Sequence, residues 1–146
     1  MRRRPAALLA LLLAFVGAME LLVIAGDWLT LLIGWELVGA CSWALIGHQW
    51  RDAANPQSGL YAFITTRLGD LGLFIAAMAA FAGTGSLAFA DLGALDGVLL
   101  QVLTVGVVVS AAAKSGQVPF APWLFRAMAG PSSVSALLHA ATMVAA

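Results

Sequence analysis

Residues 28–50 read WLTLLIGWELVGACSWALIGHQW. Between the flanking tryptophans there is one formal charge, Glu36. Trp28 and Trp50 are 22 residues apart, about 33 Å along an α-helix at ~1.5 Å per residue. That length matches a hydrocarbon core of ~30 Å and sets the two rings at the aromatic belts of a bilayer. Glu36 then lies roughly 12 Å inward from Trp28, where a charge costs at least ~2.5–3.5 kcal/mol. The stretch therefore predicts a membrane-spanning helix that carries an acid.

The rest of the 146 residues agrees. Hydrophobic residues make up 62% and charged residues 10%, too few charges to cover a water-soluble globule and too much apolar surface for disorder. Seven basic and seven acidic residues cancel, so no basic field attracts nucleic acid. Cys41 is the single cysteine, and no internal disulfide can form. The expected fold class is an all-α integral membrane protein, one polytopic transmembrane helix bundle over 1–146. Helices are predicted at about 6–25, 28–47, 59–82, 98–128 and 131–146, the fourth broken near 115–122 and the fifth incomplete.

Gly26-Asp27 is a minimal turn that makes the first two helices antiparallel neighbours. His48 to Ser58, with Asn55-Pro56, reads as a polar loop in which His48 is solvated. Gly83 to Gly97 is a longer connection with room for a short surface helix. Arg2, Arg3, Arg4, Arg51 and Arg126 fall on one side of the predicted bundle, and Asp27, Asp91 and Asp96 on the other. The positive-inside rule makes the basic side cytoplasmic, the N-terminus included. An Arg-rich start before an apolar run resembles a signal peptide, but the run is about 20 residues long and further spans follow, which favours a retained helix.

Glu20, Glu36, Arg67, Asp70 and Lys114 fall within or at the edge of the predicted spans, and His139 in the fifth. Several ionisable groups on adjacent helices mark an ion or proton path, whereas single ones more often form structural pairs. Arg67 and Asp70 are three residues apart on one helical face. They are expected to neutralise each other or to tune a neighbouring proton site. Glu36 has no opposite charge within a turn of its own helix, so its partner must come from another. The small residues Gly34, Gly39 and Ala40 allow another helix close approach.

Lys114 is the natural partner. It ends an apolar run and precedes Ser115, Gly116, Pro119 and Pro122, which break the helix inside the bilayer, as happens where a cavity or ion site is lined. The competing reading ends the helix there and lets the ammonium snorkel to the interface. A carboxylate at ~4 Å stabilises a charged amine by about 4 kcal/mol at an effective dielectric near 20. Moving that carboxylate by a few ångströms could therefore load or release a proton. His139 follows Gly130-Pro131 and the capping serines 132, 133 and 135, and is suited to relay protons. The chain has no phosphate-binding glycine loop and no Cys/His cluster with metal spacing. Nothing in the sequence is suited to hold NADH, flavin or an iron–sulfur centre, so no cofactor is expected in this chain and any redox chemistry is expected on other chains.

These groups sit in specific strings. Trp35-Glu36-Leu37-Val38-Gly39-Ala40-Cys41-Ser42 with Leu45-Ile46-Gly47 resembles the glutamate-bearing helix of the large antiporter-like subunits of respiratory complex I (subunit L, or chain 5). Thr66-Arg67-Leu68-Gly69-Asp70 resembles the next helix. Lys114-Ser115-Gly116-Gln117 with Pro119 and Trp123-Leu124 resembles the family's broken lysine helix. Gly130-Pro131 with Val134-Ser135-Ala136-Leu137-Leu138-His139-Ala140-Ala141-Thr142-Met143-Val144 is the most specific match. The resemblance implies an antiporter-like inverted-repeat fold in a bacterial-type plasma membrane. It also implies proton translocation through Glu36, Lys114 and His139, charge coupling through Arg67 and Asp70, and quinone reduction elsewhere in a multisubunit complex. Ala121, Phe125-Arg126 and Pro131-Ser132-Ser133 depart from the family's usual residues and leave the branch open. Mrp-type sodium/proton antiporters and inorganic-carbon uptake subunits share the fold, and a structural anchor is the remaining alternative. Members of the family have about fourteen helices, so the resemblance implies a fragment or a truncated gene product.

Overall fold

The computed structural model describes residues 4–49 and 54–127. It is a helix bundle of α1 (Arg4–Val23), α2 (Trp28–Ile46), α3 (Ala54–Thr84), α4 (Gly97–Lys114) and the short α5 (Pro122–Ala127). The first four are long and apolar enough to cross a membrane.

Local chemistry fixes the helix ends. Asp27 caps α2. Its Oδ1 accepts the Thr30 backbone N–H at 2.8 Å, and its Oδ2 accepts the Thr30 hydroxyl at 2.8 Å, which satisfies an orphan donor of the first turn. These bonds, the Thr30 backbone N–H first, hold the Asp27 carboxyl below its ordinary 3.8. The α3 helix starts at Ala54, earlier than the expected 59, and takes in Asn55-Pro56. Proline is tolerated there because the first turn has no intrahelical acceptor for its missing N–H. At the end of α4, Ser115 follows as the C-cap and Gly116 adopts φ +66°, a left-handed value that glycine takes without steric cost. The segment 115–121 is a turn that leads into α5.

The two acidic connections meet at one end. Trp28 N–H donates to the Leu87 carbonyl at 2.9 Å and Phe89 N–H to the Gly26 carbonyl at 3.1 Å. Phe89–Ala94 forms a 3₁₀-helix over that end. Trp28 is buried and packs edge-to-face on Phe89. It does not take the exposed belt position its spacing suggests, because the returning connection covers the ring. Trp50 lies outside the described residues.

Small residues set the packing of α3 on α4, the most extensive helix pair. A Cβ at Gly72 would lie 2.5 Å from the Gly106 carbonyl oxygen, and one at Gly69 would overlap Ala113. The backbones thus nearly touch, the arrangement that drives helix association where lipid replaces water. Gly34 does the same for α1, since its Cβ would meet the Leu22 backbone at 2.9 Å. Two buried clusters flank the middle of the bundle. One contains Phe15, Val38, Leu45, Ile46 and Trp123. The other, nearer the Asp27 end, contains Leu22, Trp28, Trp35, Leu73 and Ala76. Outward positions such as Leu13, Ile33, Leu68, Met78 and Val105 are apolar and exposed, as a lipid-facing surface requires.

Candidate functional site

Between those clusters the chain buries its charges. Lys114 is the last residue of α4, and its side chain is only 3% exposed. The amine does not snorkel. It turns inward because the Gly116 turn folds α5 back over the helix end, where Trp123, fully buried, donates its Nε1–H to the Ala113 carbonyl at 2.8 Å. That bond satisfies one carbonyl the helix break leaves without an intrahelical donor.

Lys114 Nζ donates to the Trp35 carbonyl at 3.1 Å and lies 3.9 Å from Asp70 Oδ2. The Trp35 ring centroid is 5.0 Å from the same amine, within cation–π range. Trp35 Nε1–H donates to the other carboxylate oxygen of Asp70 at 2.5 Å. One tryptophan therefore holds both members of the buried pair. Gly39, one turn further along α2, makes room for the ammonium, since a Cβ there would sit 3.2 Å from Nζ.

Glu36 pairs with Arg67 of α3. This pair is less enclosed, with side-chain exposures of 21% and 38%. It opens on a cleft of about 420 Å³ lined by Phe63, Ile64, Leu68, Leu71 and Phe74. Arg67 also stacks on Phe63 at 4.8 Å.

The partners are therefore crossed relative to the sequence expectation. Glu36 does not contact Lys114, and Arg67 does not pair with Asp70 within α3. The reason is rotational. Trp35 and Gly39 form the face of α2 turned to Lys114, and Glu36 is rotated by about 100° from Trp35, toward Arg67. The structure nonetheless brings Glu36, Arg67, Asp70 and Lys114 into one region of three helices. Glu20 is exposed on α1 among Val16, Val23 and Ile24, away from this centre. His139 lies outside the described residues.

Two participants were not legible from charge alone. Trp35 contributes a carbonyl, an indole N–H and a ring face, and Trp123 pins the helix break. The available signal was spacing: Trp35 and Gly39 are one turn apart beside the glutamate, and Trp123 follows the second proline. Among the described residues no group of three or more His, Cys, Asp or Glu has metal-site geometry. The centre is two acids and two bases, so the chemistry it supports is movement of protons or of small cations past exchanging ion pairs.

The family described as NADH:quinone oxidoreductase/Mrp antiporter, TM, matches residues 25–146. NADH-quinone oxidoreductase subunit L of Escherichia coli (strain K12) is 41% identical over 139 residues, covering 90% of this chain and 23% of that protein. NAD(P)H-quinone oxidoreductase chain 5 of Synechocystis is 40% identical over 147 residues, covering 94% of this chain and 22% of that protein. The Mrp complex from Dietzia is similar in structure with a TM-score of 0.84 and 32% identity, over 92% of this chain and 15% of that one. The chain thus spans about a quarter of the length of the curated relatives it matches.

Proposed function

Because this chain belongs to the NADH:quinone oxidoreductase/Mrp antiporter transmembrane family, we propose that it supplies the acid–base centre of a proton-translocating membrane subunit of the subunit L or chain 5 type. The observation that carries the reading is the Lys114 amine, buried at the break of a spanning helix and held by Asp70 and the Trp35 carbonyl. A lysine is placed there at considerable desolvation cost. That cost has a functional return if its proton is the cargo.

The crossed pairs suggest how the proton is held and released. Asp70 stabilises the charged amine, while Arg67 occupies Glu36. Arg67 and Asp70 are three residues apart on α3, the spacing of neighbouring side chains on one helical face, and the proposed switch is a swing of Arg67 from Glu36 to Asp70. That swing weakens the hold of Asp70 on Lys114 and frees Glu36. Each close contact at an effective dielectric near 20 is worth about 4 kcal/mol, so a change of partners is enough to change the occupancy of the amine. His139 is a proposed relay group on the same path. Energy is supplied by quinone reduction on partner subunits, which hold the NADH, FMN and iron–sulfur chemistry. The membrane is a bacterial-type plasma membrane with the arginine-bearing N-terminus cytoplasmic, in keeping with the loop charges.

A second reading is sodium/proton exchange, favoured by the structural similarity to the Mrp complex. One experiment tests both. The full-length protein, in its native complex in inverted membrane vesicles, is compared with Lys114→Ala. Loss of quinone-driven proton uptake, with the complex assembled and quinone reduction still measurable, is the expected result. Uptake equal to the parent protein overturns the reading. Transport that requires added sodium and no quinone reduction selects the exchanger.

A further inference from the structure

Ser110 sits one turn before Lys114 on the buried face of α4 and has no exposed surface. Its hydroxyl has no hydrogen-bond partner among the described residues. This is unlike its neighbours in the bundle. Thr65, Thr84, Thr104 and Ser115 each donate to the carbonyl four residues earlier, at 2.7–2.9 Å. The Ser110 hydroxyl forgoes that bond and stays in the interior, where an unsatisfied polar group is costly and where ordered water is the usual remedy.

Lys114 completes the other half of such a site. An ammonium has three donors. One reaches the Trp35 carbonyl and a second is directed at Asp70. The Cβ atoms of residues four apart on a helix are about 6 Å apart on the same face, so the Ser110 hydroxyl and the Lys114 side chain start from adjacent positions that a bridging water can join. The direction is defined as well. Ser110 lies on the side of Lys114 that leads toward Gly97 and the Asp27 end. Trp28 Nε1, further along that side, is likewise buried without a partner among the described residues.

We propose that Ser110 anchors a buried water that gives protons to, and takes them from, the Lys114 amine on the side facing the Asp27 end of the bundle. The proposal rests on the reading of Lys114 as the proton carrier. In the forward step the N–H bond of the ammonium breaks and the proton joins the water oxygen. At the same time one of the water's original O–H bonds breaks and that proton passes to a further water on the Asp27 side, with Ser110 Oγ holding the first water in line, so charge and atoms balance and the serine is unchanged. Ser110 is thus a positioning residue.

The test uses the full-length protein in its assembled complex, with Ser110→Ala, Ser110→Thr and Lys114→Ala measured side by side. Ser110→Ala is expected to lower proton flux about tenfold or more, less than the ~10²–10⁴-fold of a group that transfers the proton itself, because Ser110 acts through the water. It should also displace the pH profile and enlarge the effect of heavy water on the rate. Ser110→Thr, which keeps the hydroxyl, should restore all three. Parent-like flux, profile and isotope effect in Ser110→Ala, with flux abolished in Lys114→Ala, overturn the proposal and leave the carrier reading standing. Parent-like flux in Lys114→Ala removes both. If Ser110→Ala does not assemble, infrared spectra of the unmodified protein decide. An internal-water O–H band that shifts in heavy-oxygen water and moves in Ser110→Thr supports the site, and its absence overturns it.

Discussion

Trp35 is the residue on which the centre turns. Its backbone carbonyl binds Lys114 and its indole N–H binds Asp70, so one residue orients both halves of a buried ion pair. Trp35→Phe keeps most of the ring and removes the N–H donor. The expected outcome is normal assembly with proton flux reduced several-fold, measured as vesicle acidification per quinone reduced; unchanged flux argues against a positioning role. Gly39→Ala is expected to act in the same direction, because the new methyl would stand 3.2 Å from the Lys114 amine and displace it. Loss of flux at parental assembly levels checks this. The sequence identified all four charges and the need for a partner from another helix. It did not identify the partners, because matching Glu36 with Lys114 by charge ignores rotation about the α2 axis. A step of one residue, from Trp35 to Glu36, turns a side chain by about 100° and exchanges its neighbours.

At the scale of elements, close contact between α3 and α4 holds Asp70 opposite Lys114. Gly72 and Gly106 face each other with no room for a side chain. Gly72→Leu is therefore expected to separate the helices and to lower assembly as well as flux, at a cost of about 1–3 kcal/mol or more for overpacking. Detergent-resistant assembly on a native gel checks it, and a fully assembled variant contradicts the packing account. The Asp27 cap makes a pH-dependent contribution of known sign. Its carboxyl is held below 3.8 in the fold, so the stabilisation is complete above the unfolded value and is lost as pH falls through the folded one. Asp27→Asn, followed by thermal unfolding in detergent, should flatten acid sensitivity below about pH 4 and change little at neutrality. The helix break was legible because Gly116, Pro119 and Pro122 follow Lys114 directly. The start of α3 was misread because Asn55-Pro56 is as compatible with a first helical turn as with a loop. The Gly69, Gly72 and Gly106 seam was present in the sequence as small residues at helical spacing, but it has meaning only when the two helices are paired.

Over the whole molecule, the charges in the connections and the charges in the spans do different work. The Asp27 and Phe89–Ala94 connections pair at one end, and α5 with Arg126, stacked 4.0 Å over Tyr61, closes against α3. Only the middle of the bundle holds the acid–base centre. Removing Lys114 alone takes from Asp70 its nearest cation and lowers the yield of assembled complex as well as the flux. Removing both charges separates the two effects. The decisive measurement is therefore proton flux in the assembled full-length complex carrying Lys114→Ala together with Asp70→Asn. Parental assembly with quinone-driven proton uptake abolished is the predicted result, and parental assembly with uptake intact would contradict the assignment of Lys114 as the group that carries the proton.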